Sequence, residues 1–249
     1  MFTLPKNRAA AKPMAITTRI SESEAITLVL GKEGEAFRME SSRSFFVRDL
    51  VGSILAKTNG SGEIKDLKLV SFLNLYRCLS EKEISFIKIF LNLSPRKYGF
   101  KGKFLGIKKI PKNLIAIDGQ YLPRPIYSIF QEMNLTLEND MGGQLLVESG
   151  YRSPAFQAVL FLRNLKSNEF NFFETVRTVA FPGYSEHGDF RRQAIDFSTN
   201  GVSAGKPFEK TKEYKWLRRN AHKFNFFLSY PKGNEEGVRF EPWHWRFGK

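Results

Sequence analysis

The chain carries a single cysteine, Cys78, so no disulfide can close within it. That excludes the small disulfide-stapled folds. Cys78 lies in the mainly apolar stretch Leu73–Leu79 and reads as a small core residue rather than a nucleophile. Histidine is scarce as well, with three in 249 residues, so each can be weighed singly. Long apolar runs are missing. The longest early one, Ala25–Leu30, is closed by Glu24 and Gly31. It is too short for the apolar core of a secretory signal or for a membrane span. Acidic residues are outnumbered, 25 against 39 Lys and Arg, and the formal charge is +14. Such an excess favours anionic surroundings: nucleic acid, anionic lipid or an acidic cell wall. No nucleic-acid motif accompanies the charge, so nucleic acid is not an expected partner. Association with an anionic cell envelope stays open.

What is abundant is apolar surface. Hydrophobic residues make up 42% of the chain, and 24 of them are Phe. A chain of this size and composition buries a sizeable core.

Residues 1–40 mix charge, Gly and Ala without periodicity and are expected to be poorly ordered. From Ser44 to Ala56 and from Asp66 to Leu79 apolar residues recur at helical spacing. Ser80-Glu81-Lys82-Glu83 has the form of a capping box, and the apolar run Ile84–Leu93 follows it. Residues 41–110 therefore read as a helical N-terminal region, closed by a Gly- and Lys-rich loop over 94–110.

Residues 111–249 have a different texture. Pro125 opens a helix expected to reach about Asp140, and Gly142-Gly143 ends it. Gln144–Glu148 reads as a strand and Gly150–Ser153 as a turn. Ser153-Pro154 then starts another helix, with Ser at the cap and Pro at the first helical position. Helical stretches are expected over about 168–179 and over Phe208–Lys223. Ala194–Phe197, Phe226–Tyr230 and Phe240–Phe247 are strand-like. Helices mixed with short strands, without a βαβ rhythm, point to an α+β domain.

The three histidines differ in context. His222 falls at the end of the 208–223 helix, where a cation suits the helix dipole. His187 follows the Pro182-Gly183 break, in a loop able to present it. His244 lies in Glu241-Pro242-Trp243-His244-Trp245-Arg246. On a strand, the flanking tryptophans would point to one face and His244 with Arg246 to the other. Asp196 stands inside the apolar run Ala194–Phe197, where a carboxylate needs a hydrogen-bond partner or a metal. Two imidazoles and one carboxylate form a three-ligand zinc set with the fourth position open for water. Zinc lowers the pKa of that water, and a separate carboxylate must accept its proton. Glu241 is the candidate base, with Pro242 bending the chain so that it faces the histidine side. Arg152, in the turn before a helix, is the candidate donor to a developing oxyanion.

The second half resembles the VanY-type D-alanyl-D-alanine carboxypeptidases, within the group that includes the hedgehog zinc domain. The pieces that carry the resemblance are Ser149-Gly150-Tyr151-Arg152-Ser153 with Gln157, then Pro182-Gly183-Tyr184-Ser185-Glu186-His187, then Ala194-Ile195-Asp196. The segments Trp216–Phe224, Tyr230-Pro231 and Glu241–Phe247 complete it. It implies a small, mostly antiparallel sheet with flanking helices holding a zinc site. It also implies ligation by His187, Asp196 and His244, and a base at Glu241. Arg152 would polarise the scissile carbonyl or hold the substrate carboxylate, and Gln157, Ser185 and Trp243 would line the substrate site. The implied substrate is a peptidoglycan stem peptide, and the implied reaction is release of its C-terminal D-alanine as a D,D- or L,D-carboxypeptidase. A lysin-type endopeptidase and a non-catalytic binding module on the same fold are the alternatives. That substrate implies a place in the cell envelope or periplasm; no signal peptide is visible, so a cytoplasmic location until export or lysis is the alternative. The family usually spaces its motif Ser-x-His-x-x-Gly-x-Ala-x-Asp. Here two further residues separate His187 from Asp196, and Gly188 follows the histidine directly. Asp189 is then a competing carboxylate ligand.

Overall fold

A computed structural model describes residues 41–59 and 64–248. The expectation of a poorly ordered start, residues 1–40, lies outside the described residues. Helix α1 spans Ser41–Thr58, α2 Phe72–Arg77 and α3 Glu81–Leu91. A hairpin, β1 Leu114–Ile117 and β2 Gln120–Pro123, leads directly into α4, Arg124–Met141. Strand β3 is Leu146–Ser149, α5 is Pro154–Ser167 and α6 is Phe172–Val176. Then come β4 Ala194–Ser198, α7 Lys212–Asn220, β5 Phe226–Leu228 and β6 His244–Phe247. Strands β3 to β6 form one antiparallel sheet in the order β3-β4-β6-β5. The α+β class and the helical N-terminal region are therefore as the sequence implies. No described helix is long and apolar enough to cross a membrane.

Local chemistry explains the main boundaries. The Ser80 hydroxyl accepts from the Glu83 amide, and the Glu83 carboxylate accepts from the Ser80 amide at 2.6 Å, which closes the capping box of α3. The Ser153 hydroxyl caps α5 through the Phe156 amide at 3.1 Å, with Pro154 at the start. Gly142, at φ 59°, ends α4 in the left-handed region that a Cβ disfavours.

Several expected elements are shorter than their apolar periodicity suggests. The stretch Asp66–Leu79 is broken, because Val70 is extended and Ser71 caps a new helix through the Asn74 amide. Over 168–179 only Phe172–Val176 is α-helical, since Glu169 and Phe170 have positive φ. The 208–223 stretch is a 3₁₀ turn, then α7 capped by Thr211, then a second 3₁₀ turn that carries His222. Strand β6 begins only at His244, so Trp243 precedes it. The hairpin β1–β2 was not expected. Its Asp118-Gly119 turn has both residues at positive φ, the geometry of a tight hairpin turn. Cys78 is half-buried at the C-cap of α2, its thiol 3.6 Å from the Asn74 carbonyl, rather than fully in the core.

Two apolar cores result. One joins α1, α2 and α3 to α5 and α6, with Phe86, Phe90, Phe161, Phe172 and Phe181 among its members. The other joins α4 and α7 to the sheet, through Met133, Phe197, Trp216, Phe226 and Trp245. Helix α5 is buried along most of its length and packs on α1. The N-terminal helices thus share a core with a helix from the second half. A cleft of about 230 Å³ opens between α5 and the sheet.

Candidate metal centre

Every residue of β4 is buried, and Asp196 sits at its centre between Ser149 of β3 and His244 of β6. A lone carboxylate there would cost several kcal/mol, so it must be compensated. Burial pushes the Asp196 carboxyl up, but His187, His244 and Arg152 outweigh that and hold it well below the usual range. The Arg152 guanidinium donates to Asp196 Oδ2 at 2.8 Å and, through Nε, to the Ser149 hydroxyl at 2.9 Å.

The two histidines reach Asp196 by opposite ring nitrogens. His187 stands in the 3₁₀ turn Glu186–Gly188, with Nδ1 2.7 Å from the Gly150 carbonyl oxygen. A carbonyl only accepts, so Nδ1 carries the hydrogen. Burial, with the Arg152 charge beside it, pushes the His187 pKa down to about 4. The neutral ring therefore turns the lone pair of Nε2 toward Asp196 Oδ2, 3.2 Å away. His244 is held by Glu186, whose Oε2 is 3.0 Å from Nε2. Its Nδ1 lies 2.9 Å from Asp196 Oδ1. Burial alone would lower the His244 pKa, but the Asp196 and Glu186 carboxylates outweigh it and raise it to about 10.

An imidazole lone pair facing a carboxylate oxygen is repulsive unless positive charge lies between them. The contact of His187 Nε2 with Asp196 Oδ2 has this character, whereas His244, with its raised pKa, donates from Nδ1 to Asp196 Oδ1; a cation among the three would relieve the first contact and take the place of the hydrogen in the second. The candidate ligand atoms of His187, Asp196 and His244 all lie within 4.8 Å of one another. Two imidazole nitrogens and one carboxylate oxygen, with each outer ring nitrogen held by an oxygen acceptor, fit the donor set of a zinc site.

Glu241 lies beside this cluster. Its Oε2 is 3.8 Å from His244 Nδ1. The turn that places it there is closed by the His244 amide on the Glu241 carbonyl at 3.1 Å. Burial, opposed by His244 and aided by Asp196, raises the Glu241 pKa to about 7. Arg152, Gln157, Ser185, Trp243 and Glu241 all line the cleft together with the three candidate ligands. Trp243 therefore faces the same cleft as His244, whereas Trp245 is in the second core. The expected alternation fails at Trp243 because the strand has not yet begun. Gln157 donates to the Ala180 carbonyl at 2.7 Å, and its Oε1 is buried without a partner.

Asp189 is not part of the cluster. Its carboxylate pairs with Lys108 at 2.6 Å and accepts from the Arg191 amide. The longer His187–Asp196 spacing is taken up by the 3₁₀ turn and by a second turn closed from the Arg192 amide to the Asp189 carbonyl at 2.8 Å. Asp196 still enters the sheet opposite His244. His222 is exposed and does not line the cleft. Two residues of the site were not foreseen. Glu186 resembles an ordinary polar turn residue, and only its position next to His187 marks it. Tyr230, buried, lies with its ring centroid 4.9 Å from that of His244, the planes tilted by 36°.

Such a centre, buried in an antiparallel sheet with an unligated carboxylate at its side, has the composition of a hydrolytic metal site. Residues 119–249 match the VanY family, described as D-alanyl-D-alanine carboxypeptidase, and the chain belongs to that family. It is 36% identical over 110 residues to the putative carboxypeptidase YodJ of Bacillus subtilis (strain 168), covering 43% of this chain and 39% of that protein. It is 31% identical over 130 residues to a D-alanyl-D-alanine carboxypeptidase of Enterococcus faecium, covering 51% and 37%. These matches span about two fifths of the length of the curated relatives. Among solved structures, it is similar to the LD-carboxypeptidase LdcB, with 26% identity, 58% of this chain and 74% of that chain covered, and a TM-score of 0.48. VanYB in complex with D-alanine-D-alanine gives 25% identity, 59% and 86% coverage, and a TM-score of 0.48.

Proposed function

We propose that this chain is a zinc-dependent carboxypeptidase that releases the C-terminal D-alanine of peptidoglycan stem peptides. The observation that carries the reading is the convergence of His187, Asp196 and His244 on one point, with Glu241 beside it in the same cleft. Family membership supports the choice of peptide substrate.

In this reading His187 Nε2, Asp196 and His244 Nδ1 would hold the ion. When bound, zinc supplies the positive charge that acidifies a water and polarises a carbonyl. Glu241, with its carboxyl raised toward neutrality by burial, accepts a proton from the attacking water and delivers it to the leaving amine. Positive charge at the ligands favours its ionised, accepting form. Arg152 supplies a fixed guanidinium on the cleft wall for the substrate carboxylate or the developing oxyanion. Gln157 offers an unpaired acceptor to a peptide N–H of the substrate, and Ser185 and Trp243 shape the neighbouring wall. Such a substrate lies outside the cytoplasmic membrane, so we place the site of action in the cell envelope. The excess of positive charge suits an anionic wall.

The test is incubation of the zinc-loaded protein with defined muropeptides and mass analysis of the products. Loss of one terminal D-alanine is expected. Internal cuts would replace this reading by an endopeptidase, and no cleavage by a zinc-loaded, folded protein would leave a binding module.

A further inference from the structure

The strongest unassigned feature is the partner of His244 on the side away from the cluster. Glu186 Oε2 accepts from His244 Nε2 at 3.0 Å. The same oxygen accepts from the Ser229 hydroxyl at 2.5 Å. The other oxygen, Oε1, lies 3.7 Å from Arg246 Nε, which has no hydrogen bond of its own. Two other elements thus converge on this carboxylate: the segment after β5, and β6.

Resting on the zinc reading above, we propose that Glu186 is the positioning residue that makes His244 a ligand through Nδ1. A neutral imidazole has one hydrogen and one lone pair, and the nitrogen that finds an acceptor keeps the hydrogen. Glu186 holds that hydrogen on Nε2, which leaves the Nδ1 lone pair for the ion at Asp196. It also fixes the ring plane. Gly150 performs the mirror task for His187 through its carbonyl, which holds Nδ1–H and frees Nε2. The two ligands are therefore set by unlike acceptors, a neutral carbonyl and a charged carboxylate. A charged acceptor strengthens the donor power of the opposite nitrogen more than a neutral one does. Glu186 is not itself a ligand, because it meets the edge of the ring opposite to the one that faces Asp196.

The experiment measures zinc affinity by competition with a chromophoric chelator, at one pH, for the unsubstituted protein, Glu186→Gln, Glu186→Ala and Ser229→Ala. Circular dichroism and thermal melting report whether each variant folds. Glu186→Ala is expected to bind zinc roughly 10–100-fold more weakly. Glu186→Gln retains an acceptor oxygen and is expected to recover part of the loss. Ser229→Ala leaves the carboxylate in place and is expected to lose affinity only a few-fold; it also serves if Glu186→Ala does not fold. Nitrogen-15 NMR of the zinc-loaded protein is expected to show His244 protonated at Nε2 and His187 at Nδ1. Unchanged zinc affinity in a folded Glu186→Ala overturns the proposal while leaving the zinc reading intact, whereas His244 protonated at Nδ1 overturns the proposal and also removes His244 Nδ1 from the ligand set. Absence of zinc binding by the unsubstituted protein overturns the zinc reading itself, and this proposal with it.

Discussion

Asp196 and His244 are cross-strand neighbours at the centre of the sheet, Oδ1 of one 2.9 Å from Nδ1 of the other. The backbone register of β4 against β6 thus sets two of the three candidate ligands, and only His187 comes from a turn. Replacing Asp196→Asn keeps the volume but removes the charge that three cationic or metal-facing groups share. Zinc affinity is expected to fall by more than the roughly 10–100-fold typical of an outer partner, and peptide turnover with it. Metal analysis of the purified variant beside its activity measures both. Full metal content retained by the Asp196→Asn variant would remove Asp196 from the ligand set.

Glu241 is the residue whose loss should separate chemistry from metal binding. Its carboxylate lies next to the candidate ligands and outside their cluster. Glu241→Gln is expected to lower kcat by roughly 10²–10⁴-fold, with zinc content unchanged. Loss of zinc in this variant would instead make Glu241 a ligand.

The candidate site was legible because it violates ordinary patterning. A carboxylate in the apolar run Ala194–Phe197 demands compensation, and a histidine between two tryptophans after Glu-Pro has few ordinary uses. Capping chemistry made the starts of α3 and α5 legible too, since Ser80–Glu83 and Ser153-Pro154 act through neighbouring amides. What escaped is set by distant partners or by single residues. Glu186 acquires its role only when Ser229, His244 and Arg246 arrive from far along the chain. The break at Val70-Ser71 is invisible to apolar periodicity, which runs across it. The shared core of α1 and α5 depends on contacts more than a hundred residues apart in the chain. The Asp118-Gly119 pair has the residue types of a tight hairpin turn, but its flanking strands are only four residues each and carry little periodicity.

Gln157 gives a test of substrate contact. Its Nε2 has a partner and its Oε1 does not, although the residue is 1% exposed. Gln157→Ala is expected to raise KM for a peptide substrate about 2–10-fold, the worth of one net hydrogen bond, with little change in kcat. If the side chain serves only to tie down Ala180, the melting temperature falls and KM does not move.

Acid stability should depend on Glu83, far from the cleft. The residue is 2% exposed and accepts from Lys57 at 2.6 Å and from Ser80. Burial pushes its carboxyl up, but hydrogen bonds from Lys57, Ser53 and Ser80 outweigh this and bring it to about 2. A carboxyl lowered on folding stabilises the fold above its ordinary pKa of 4.5, and that stability is lost as pH falls from there toward 2. Glu83→Gln is expected to cost about 1.5–3 kcal/mol at neutral pH, the range for hydrogen bonds to charged groups. Denaturant titrations at several pH values should show the gap to the unsubstituted protein closing below about pH 4.5. A constant gap would mean that the charge plays no part.

Gly150 joins the hairpin to the candidate metal centre, and its replacement tests whether His187 depends on that join. A Cβ at this position would lie 2.2 Å from the Tyr121 carbonyl oxygen of β2, and that oxygen already accepts from the Tyr151 amide at 2.6 Å. Backbone on both sides leaves no side chain to swing away, so Gly150→Ala must separate the turn from the hairpin. Overpacking of this kind costs about 1–3 kcal/mol. The Gly150 carbonyl that holds His187 Nδ1 moves with the turn, so zinc affinity is expected to fall together with the melting temperature. A folded Gly150→Ala protein with a lower melting temperature and undiminished zinc affinity would show that His187 is oriented by its own turn, Glu186–Gly188, and not by the contact with Gly150.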